Sequence, residues 1–230
     1  MCATGFTMES GRWAEPPDGE SARLLAGAAR EHGIHVLAGL ATARAGQCYN
    51  TALLFTPEGE VSAAYDKQRR FGFAGEDRAY TSGVTPVVAD VDGVRVSLFI
   101  CYDLRFPELF RAIGPYVDAM LLVANWPASR QTHWETLVPA RAVENQCYVV
   151  AVNRVGEADG LTYAGGSVAY DPWGVPVGAE SDDGLRIVSV APEEVLRVRS
   201  RFPFTDDRRS APAPVGAFAG DWPQHSHVTG

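Results

Sequence analysis

A cysteine stands where an apolar stretch of the chain ends. Residues 94–100 are largely apolar and β-branched, Cys101 follows them, and Pro107 then begins a short helical pattern. A thiol at the end of a strand can face a crevice, where backbone N–H groups favour the thiolate, the form that acts as a nucleophile. A lone cysteine in a strand is more often a small buried hydrophobic residue. Cys101 by itself therefore allows two interpretations, nucleophilic catalysis or packing.

Two charged residues favour the catalytic interpretation. All but one of the 20 cationic residues are arginines, and the exception, Lys67, follows the strand-like residues 61–65. Lysine differs from arginine in being a compact point charge on a flexible stem. Glu76 lies in the glycine-containing segment 71–76. Each of these two residues has an ordinary alternative as a solvated surface charge, but together with Cys101 they favour nucleophilic catalysis over packing.

Several other kinds of site have no signature in the sequence. Gly165-Gly166-Ser167 continues with valine and alanine, so it is not the nucleophile elbow of a serine hydrolase. We find no phosphate-binding loop, no HExxH motif and no dinucleotide-binding glycine pattern. These absences argue against an NTPase, a zinc protease and a Rossmann-type dehydrogenase.

Composition and charge indicate an ordinary globular protein. The chain has 230 residues, of which 46% are apolar, and a formal net charge of −8, which argues against nucleic acid or an anionic membrane surface as a partner. The four cysteines are far apart and form no CxxC pair, as expected in a reducing compartment. Since no apolar run approaches about 18 residues and no leader pattern is visible, we expect a cytoplasmic protein.

The remaining pattern predicts hairpins mixed with strand–helix–strand units, hence an α/β fold with mixed sheets covered by helices. Residues 1–19 read as a loop. We expect helices at residues 18–32, from 107, at 132–147 and from 192. We expect strands at residues 34–42, 49–55, 61–65, 94–100, 119–124, 148–155 and 185–190, with hairpin turns at residues 57–60, 90–93 and 171–174.

Four strings in the sequence carry a resemblance to a known family. They are Tyr65-Asp-Lys67, the segment 101–109 (CYDLRFPEL), Asn125-Trp-Pro and the segment 140–149 (ARAVENQCYV). In this order they resemble the nitrilase, or carbon–nitrogen hydrolase, superfamily, and most of all its omega-amidase-type bacterial amidases. The resemblance covers about residues 1–200. It implies a four-layer αββα sandwich and hydrolysis of a terminal amide, for example of 2-oxoglutaramate to 2-oxoglutarate and ammonia.

The resemblance also implies roles for particular residues. Cys101 would be the nucleophile and Lys67 the lysine of a Glu-Lys-Cys triad, with Glu76 as an additional carboxylate beside the lysine. The backbone N–H of Tyr102 would help to hold the oxyanion. We expect Arg130 to bind a substrate carboxylate and Phe71 and Trp126 to form pocket walls. The reaction would need no metal and no cofactor, and relatives suggest a homodimer.

The glutamate of the triad has no counterpart in the 230 residues. The family pattern aligns so that this glutamate would directly precede Met1, and the first strand and first helix of the fold would be missing as well. Our expectation is therefore a carbon–nitrogen hydrolase domain at residues 1–204 that is incomplete at its N-terminus, from a gene start set at an internal methionine. A proline-rich tail would follow at residues 205–230. Glu9 and Glu15 are possible substitutes for the glutamate.

Two other interpretations stay open at this point. The chain could be an inactive, truncated family member that serves in binding, or a different hydrolase in which His133 is the base for Cys101. His133 also has a simpler alternative, in packing or capping a helix. We expect Arg105 and Glu144 to pair structurally, and Arg69 to stand where the family often has a histidine, without consequence for activity.

Overall fold

The computed structural model describes residues 1–181 and 184–208. Most of the predicted tail, residues 209–230, therefore lies outside the described residues. Residues 205–208 are described. A short 3₁₀ helix spans Phe204–Asp207, and Arg208 then donates a hydrogen bond of 2.9 Å to Oδ1 of Asn145.

Six α-helices and thirteen strands, several of them very short, make up the described chain. The helices are α1 (Ser10–Trp13), α2 (Glu20–His32), α3 (Glu76–Ala79), α4 (Pro107–Ile113), α5 (Gln131–Asn145) and α6 (Pro192–Arg201). The strands are β1 (Val36–Arg44), β2 (Gln47–Phe55), β3 (Val61–Asp66), β4 (Val88–Val91), β5 (Val94–Ile100), β6 (Ala119–Ala124), β7 (Tyr148–Asn153), β8 (Val155–Ala158), β9 (Leu161–Ala164), β10 (Val168–Tyr170), β11 (Pro176–Val177), β12 (Ala179–Glu180) and β13 (Arg186–Ile187).

Nine of these strands form two larger sheets, and β8-β9 and β12-β13 form two separate two-stranded sheets. One of the larger sheets is antiparallel in the order β1-β2-β3, and the other has six strands in the order β11-β10-β7-β6-β5-β4. Within the larger sheet β5, β6 and β7 run parallel, whereas β4 and β10 are antiparallel to their neighbours. The parallel core brings the carboxyl ends of three strands to one edge, where ligand sites of α/β sheets commonly lie.

The buried residues show four layers. A central core joins the two sheets, through residues such as Leu54 of β2 and Leu98 of β5. The other face of the small sheet packs against the alanines of α2. The other face of the large sheet packs against α4 and α5, where Phe110 and Trp134 are completely buried. This arrangement confirms the predicted αββα sandwich.

The predicted elements agree with the structure where periodicity and turn residues coincide. Strands β5 and β6 have the predicted bounds, α6 begins at Pro192, and α2 ends at Gly33, whose φ of 62° is the left-handed cap expected of glycine. The strand predicted at residues 185–190 was wrong in extent, since only Arg186–Ile187 pair, with β12. That apolar run is short and its hairpin partner has only two paired residues.

The segment before α2 is a loop, as predicted, apart from the single turn of α1. It runs beside the outer edge of β1, where the N–H of Cys2 donates to the carbonyl of Gly39 at 2.7 Å. Further along, Glu15 exchanges backbone hydrogen bonds with Ala41 and Ala43. Within the described chain, no helix is long and apolar enough to cross a membrane.

Candidate active site

Cys101 occupies a strained turn at the end of β5. Its φ is +44°, which costs a residue with a side chain about 1–2 kcal/mol relative to a right-handed conformation. The turn directs the half-buried sulfur across to the neighbouring strand, where Sγ lies 3.7 Å from the carbonyl oxygen of Asn125. Asn125 directly follows β6, the parallel neighbour of β5. The parallel pairing therefore determines where the thiol points.

The loop after β6 is fixed by the end of β7. Asn153 accepts a hydrogen bond from the N–H of Trp126 at 2.7 Å, and its Nδ2 donates to the carbonyls of Trp126 and Gly165. One buried amide thus ties the loop that faces Cys101 to the segment after β9. A buried polar side chain whose hydrogen bonds are satisfied in this way keeps the surrounding loops rigid.

The lysine and the glutamate predicted from the sequence form a buried ion pair. Nζ of Lys67 lies 2.6 Å from Oε2 of Glu76, and the two side chains are only 1% and 0% exposed. Glu76 also accepts hydrogen bonds from the N–H of Phe71 at 2.6 Å and from Nδ2 of Asn50 at 2.9 Å. With these partners a buried carboxylate can remain ionised and keep the ammonium group in place.

Burial and the positive charge of Lys67 act in opposite directions on the pKa of the Cys101 thiol. Burial raises the pKa of Cys101 above its ordinary value, and the Lys67 ammonium lowers it without outweighing the burial. The negative charge of Glu76 adds to the effect of burial. The thiol is therefore mainly protonated near neutral pH, so a base is required to form the nucleophile.

A cavity opens to solvent over this group of residues, with about 490 Å³ of empty space that includes solvent at its mouth. Its walls are mainly aromatic and apolar, with three cationic side chains. The lining residues are Phe6, Lys67, Phe71, Ala74, Cys101, Tyr102, Arg105, Asn125, Trp126, Pro127, Arg130, Leu161 and Tyr163.

The structure brings together the residues selected from the sequence. Six of the seven candidates line the cavity, and the seventh, Glu76, lies behind Lys67. The rings of Phe71 and Tyr102 are 4.9 Å apart at one wall. The guanidinium carbon of Arg130 lies 5.3 Å from the ring centre of Phe71. The predicted residues therefore share one cavity.

Sequence reasoning missed several lining residues. Phe6 comes from the N-terminal loop and lies with its ring centre 5.3 Å from Nζ of Lys67. Leu161 and Tyr163 come from the small β8–β9 hairpin. Only Asn125 carried a recognisable signal, as a polar residue at the end of an apolar strand parallel to β5. The others reach the cavity through long-range packing.

Two other predictions, the Arg105–Glu144 pair and the Cys101–His133 couple, are not supported by the structure. Glu144 pairs with Arg141 at 2.8 Å, so the predicted pair of Arg105 and Glu144 was wrong, because α5 places these two residues one turn apart. Arg105 instead lines the cavity and contacts His133. His133 is exposed and is not among the lining residues, which gives no support to a Cys101–His133 couple.

The two carboxylates proposed as substitutes for the triad glutamate, Glu9 and Glu15, are not among the lining residues either. Glu15 accepts hydrogen bonds from the backbone N–H and the hydroxyl of Ser21, at 2.8 and 2.7 Å. Glu9 is exposed and accepts a hydrogen bond from the indole of Trp13. Both carboxylates have local structural roles. Among the described residues, no cluster of three or more acidic, histidine or cysteine side chains could hold a metal ion.

Asp103 connects the two elements that carry the thiol and the ammonium. It is completely buried. Its Oδ2 accepts hydrogen bonds from the N–H of Ile100 at 3.0 Å and from the hydroxyl of Tyr65 at 2.8 Å, and its Oδ1 accepts one from the N–H of Arg69 at 2.9 Å. Ile100 precedes Cys101, while Tyr65 and Arg69 flank Lys67. One carboxylate therefore sets the position of Cys101 relative to Lys67.

Asp103 should also give the protein a distinctive pH dependence. Burial raises its pKa to about 6, although Lys67 and the hydrogen bonds act in the opposite direction. The pKa of an aspartate in an unfolded chain is about 3.9. Between about pH 3.9 and about pH 6, Asp103 is therefore protonated more in the folded protein than in the unfolded chain. As pH rises through this range, the contribution of Asp103 to the free energy of unfolding falls. We expect the advantage of wild type over Asp103→Asn in urea unfolding to shrink by up to about 3 kcal/mol from pH 4 to pH 7.

Asp118 provides a control of opposite sign. Burial acts against its carboxylate, but the hydrogen bonds from Arg95 outweigh this effect and lower its pKa. The advantage of wild type over Asp118→Asn should therefore grow as pH rises. If the difference between wild type and Asp103→Asn did not change with pH, Asp103 would have the same affinity for protons in the folded and unfolded chains.

With this geometry described, the chain can be compared with known proteins. A model of the family described as carbon-nitrogen hydrolase matches residues 2–199. The 2-oxoglutaramate amidase of Bacillus subtilis (strain 168) is 34% identical over 213 residues, which cover 91% of this chain and 82% of that protein.

Two solved structures extend the comparison to the fold. A CN-hydrolase superfamily protein from Xanthomonas campestris, with an arsenic adduct in its active site, gives a TM-score of 0.83 at 32% identity, covering 91% of this chain and 82% of that one. A mutant amidase from Nesterenkonia sp. AN1, in which acrylamide has added to the active-site cysteine, gives 0.72 at 30% identity, covering 86% and 80%.

Proposed function

The chain belongs to the carbon–nitrogen hydrolase family and is a hydrolase of carbon–nitrogen bonds, and from this premise we propose that it cleaves the terminal amide of small carboxylic acids through a thioester on Cys101. The observation that carries the proposal is the position of Cys101 beside a buried Lys67–Glu76 pair in one small cavity. The acrylamide adduct on the active-site cysteine of the Nesterenkonia amidase supports the assignment of the nucleophile.

The proposed reaction has two steps. The deprotonated sulfur of Cys101 attacks the amide carbon, and the resulting oxyanion is held by the Lys67 ammonium and the backbone N–H of Tyr102. The carbon–nitrogen bond then breaks, and ammonia leaves with the proton taken from the thiol. In the second step water attacks the thioester, which releases the free acid and restores the thiol. Glu76 holds the Lys67 ammonium group in place throughout, through their ion pair.

The substrate proposal combines a relative with the charge of the cavity. The similar Bacillus protein is described as a 2-oxoglutaramate amidase. For this chain we propose the same class of substrate, in which an amide at one end reacts with Cys101 and a carboxylate at the other end binds Arg130. The aromatic rings of Phe71 and Trp126 form the walls between them. A metal ion or a cofactor has no step in this reaction.

The proposed reaction also requires a base that takes the proton from the Cys101 thiol. No carboxylate is among the described residues that line the cavity, so the triad glutamate that the family resemblance implies has no candidate among them. The function is therefore tested on two proteins, the 230-residue chain and the same chain extended at its N-terminus by the family's first helix and strand, ending in Pro-Glu.

The test is ammonia release from 2-oxoglutaramate and succinamate, with butyramide as an uncharged amide of similar size. We expect hydrolysis of the two acids and a rise in KM of about 10-fold or more for them in Arg130→Gln, since a charge-assisted hydrogen bond is worth about 1.5–3 kcal/mol. Release by the extended protein alone would assign the base to the added glutamate. Absence of release from both proteins would contradict the proposed function.

Assembly and location are further proposals. We propose that the chain is a homodimer and that it is cytoplasmic. An exposed apolar patch supports the homodimer. Trp173 is partly exposed and Phe204 is largely exposed, and both rings contact Phe202. The patch lies close to Val143 of α5, which contacts Gly174. Light scattering on the purified protein would give the mass, and fractionation of cells that produce it would give the location.

A further inference from the structure

One polar side chain of the cavity has no part in the proposed reaction. Tyr163, in β9, lines the cavity and is 5% exposed. Within residues 1–181 and 184–208 its hydroxyl has no hydrogen-bond partner, and the hydroxyl oxygen is not sealed in the core. The other uncharged hydroxyl and amide side chains at the cavity walls, Tyr102 and Asn125, are only half-buried, so water can serve them. Tyr163 therefore presents a free hydrogen-bonding group in a nearly enclosed part of the wall.

The other buried tyrosines make this free hydroxyl exceptional. The described chain buries three more tyrosines. The hydroxyl of Tyr65 donates to a carboxylate at 2.8 Å, and that of Tyr80 donates to a backbone carbonyl at 2.9 Å. Tyr148 has a hydrogen bond with the backbone of Ala191. Burying a hydroxyl without a partner costs free energy. The exception at Tyr163 therefore indicates a partner that the protein itself does not supply.

The position of Tyr163 is fixed by the parallel core of the large sheet. The guanidinium carbon of Arg154 lies 4.8 Å from the ring centre of Tyr163, and the N–H of Arg154 donates to the carbonyl of Ala124 at the end of β6 at 3.1 Å. Gly165 directly follows β9, and its carbonyl accepts a hydrogen bond from Nδ2 of Asn153 at 2.7 Å. The hydroxyl is therefore held in one place before a ligand binds, which lowers the entropic cost of binding.

Tyr163 lies near both Cys101 and Arg130. All three residues line the same cavity, and β9 packs against the 3₁₀ helix Ala128–Arg130. Burial raises the pKa of Tyr163, and the Arg154 guanidinium lowers it without outweighing the burial. Charges on Cys101 and Arg130 act on the same pKa. The phenol is therefore protonated at neutral pH and can donate a hydrogen bond to a molecule that spans from Cys101 to Arg130.

We propose that Tyr163 determines substrate specificity: its hydroxyl donates a hydrogen bond to an uncharged oxygen on the carbon chain of the substrate, between the amide and the carboxylate. In an oxo acid amide that oxygen is the keto oxygen, which no other residue of the proposed site serves. This inference rests on the proposed function for the positions of the amide and the carboxylate. The hydrogen bond itself follows from the free hydroxyl in the cavity and is testable without turnover.

The binding test measures how two acids that differ by one keto oxygen, 2-oxoglutarate and glutarate, protect Cys101 from iodoacetamide at pH 8. For each acid the concentration that halves the alkylation rate is determined, and the ratio of glutarate to 2-oxoglutarate is taken. Tyr163→Phe keeps the ring and removes the hydroxyl. It should lower this ratio about 3- to 10-fold, as expected for one hydrogen bond between uncharged groups. Equal ratios in wild type and Tyr163→Phe, or no protection by either acid, would overturn the proposal.

Tyr148→Phe is the matched control. It also removes the hydroxyl of a buried tyrosine, but Tyr148 lies at the start of β7, at the opposite end of the parallel strands from Cys101. It should leave the protection ratio unchanged and lower the Tm slightly, whereas Tyr163→Phe should leave the Tm unchanged because its hydroxyl has no partner in the described chain. An equal change of the ratio in both variants, or a larger fall in Tm in Tyr163→Phe, would contradict the proposal.

Turnover separates this proposal from the proposed function. In Tyr163→Phe, KM should rise about 3- to 10-fold for 2-oxoglutaramate and stay within about 2-fold of wild type for glutaramate, which has the same chain without the keto oxygen. The value of kcat should stay within about 2-fold for both amides. An equal rise in KM for both, or no rise for either, would contradict the role of Tyr163 and leave the amidase intact. Selective protection of Cys101 by 2-oxoglutarate, without hydrolysis of any amide, would support the role of Tyr163 and contradict the amidase.

Discussion

Cys101→Ala is expected to reduce amide hydrolysis by at least about 10³-fold. The reason is that the proposed reaction passes through a thioester, which alanine cannot form, while the remaining groups of the cavity act only on an intermediate that no longer arises. The measurement is ammonia release with saturating substrate. Mass spectrometry of acid-quenched reactions should detect the acyl group on Cys101 in wild type only.

A second cysteine provides the control for this experiment. Cys147 is also buried, and burial raises its pKa to about 12. It lies at the start of β7, at the opposite end of the parallel strands from Cys101. Cys147→Ala should therefore lower stability slightly and leave kcat within about 2-fold of wild type. Hydrolysis that survives in Cys101→Ala would contradict the assignment of the nucleophile.

The second large effect is expected at Lys67. Lys67→Met removes the cation that would hold the oxyanion, and loss of one such group typically lowers kcat about 10²–10³-fold. It also removes the charge that lowers the pKa of Cys101. The thiol pKa should therefore rise, so that alkylation of Cys101 by iodoacetamide slows at pH 8 and recovers only at higher pH.

In Lys67→Met, Glu76 remains as a buried charge without its partner, which should lower the free energy of unfolding by about 3–5 kcal/mol. The double variant Lys67→Met/Glu76→Gln buries no charge and is therefore measured beside it. Both variants should show a kcat lowered by about 10²–10³-fold. In the double variant the thiol pKa should rise less, because Glu76 acts on it in the opposite direction to Lys67. Full activity in a folded double variant would contradict an oxyanion role for Lys67.

Arg199→Met controls for the loss of a cation as such. Arg199 is half-buried and donates hydrogen bonds to the carbonyls of Gly114, Val117 and Asn145, away from the cavity. Its replacement should reduce stability while leaving the pH profile of Cys101 alkylation unchanged. A shift in that profile similar to the one in Lys67→Met would indicate a general loosening of the fold.

The layers of the fold could be predicted because local signals and burial agree along most of the chain. Pro192 begins a helix, Gly33 ends one, and the apolar residues 119–124 form a strand buried on both faces. The sequence was less informative where pairing is short. Residues 185–190 have strand-like composition, yet only two of them pair, since a ribbon of that length has little surface to bury.

The candidate site could be predicted in part, for a physical reason. Cys101, Lys67 and Glu76 have side chains whose chemistry is recognisable in isolation. Asp103 was missed because its role depends on three donors from two distant segments. Arg105 was assigned to the wrong partner because a salt bridge inferred from charge alone cannot distinguish Arg141 from Arg105 as the partner of Glu144.

The burial of Lys67 has a practical consequence. Because it is the only lysine in the sequence and is 1% exposed, the protein's single ε-amino group lies at the candidate active site and is shielded from solvent. Reagents that acylate lysine can therefore reach their target only when the segment around Lys67 opens transiently. The protein carries a single internal reporter of local unfolding, and the rate of lysine acylation would measure how often the candidate site is exposed.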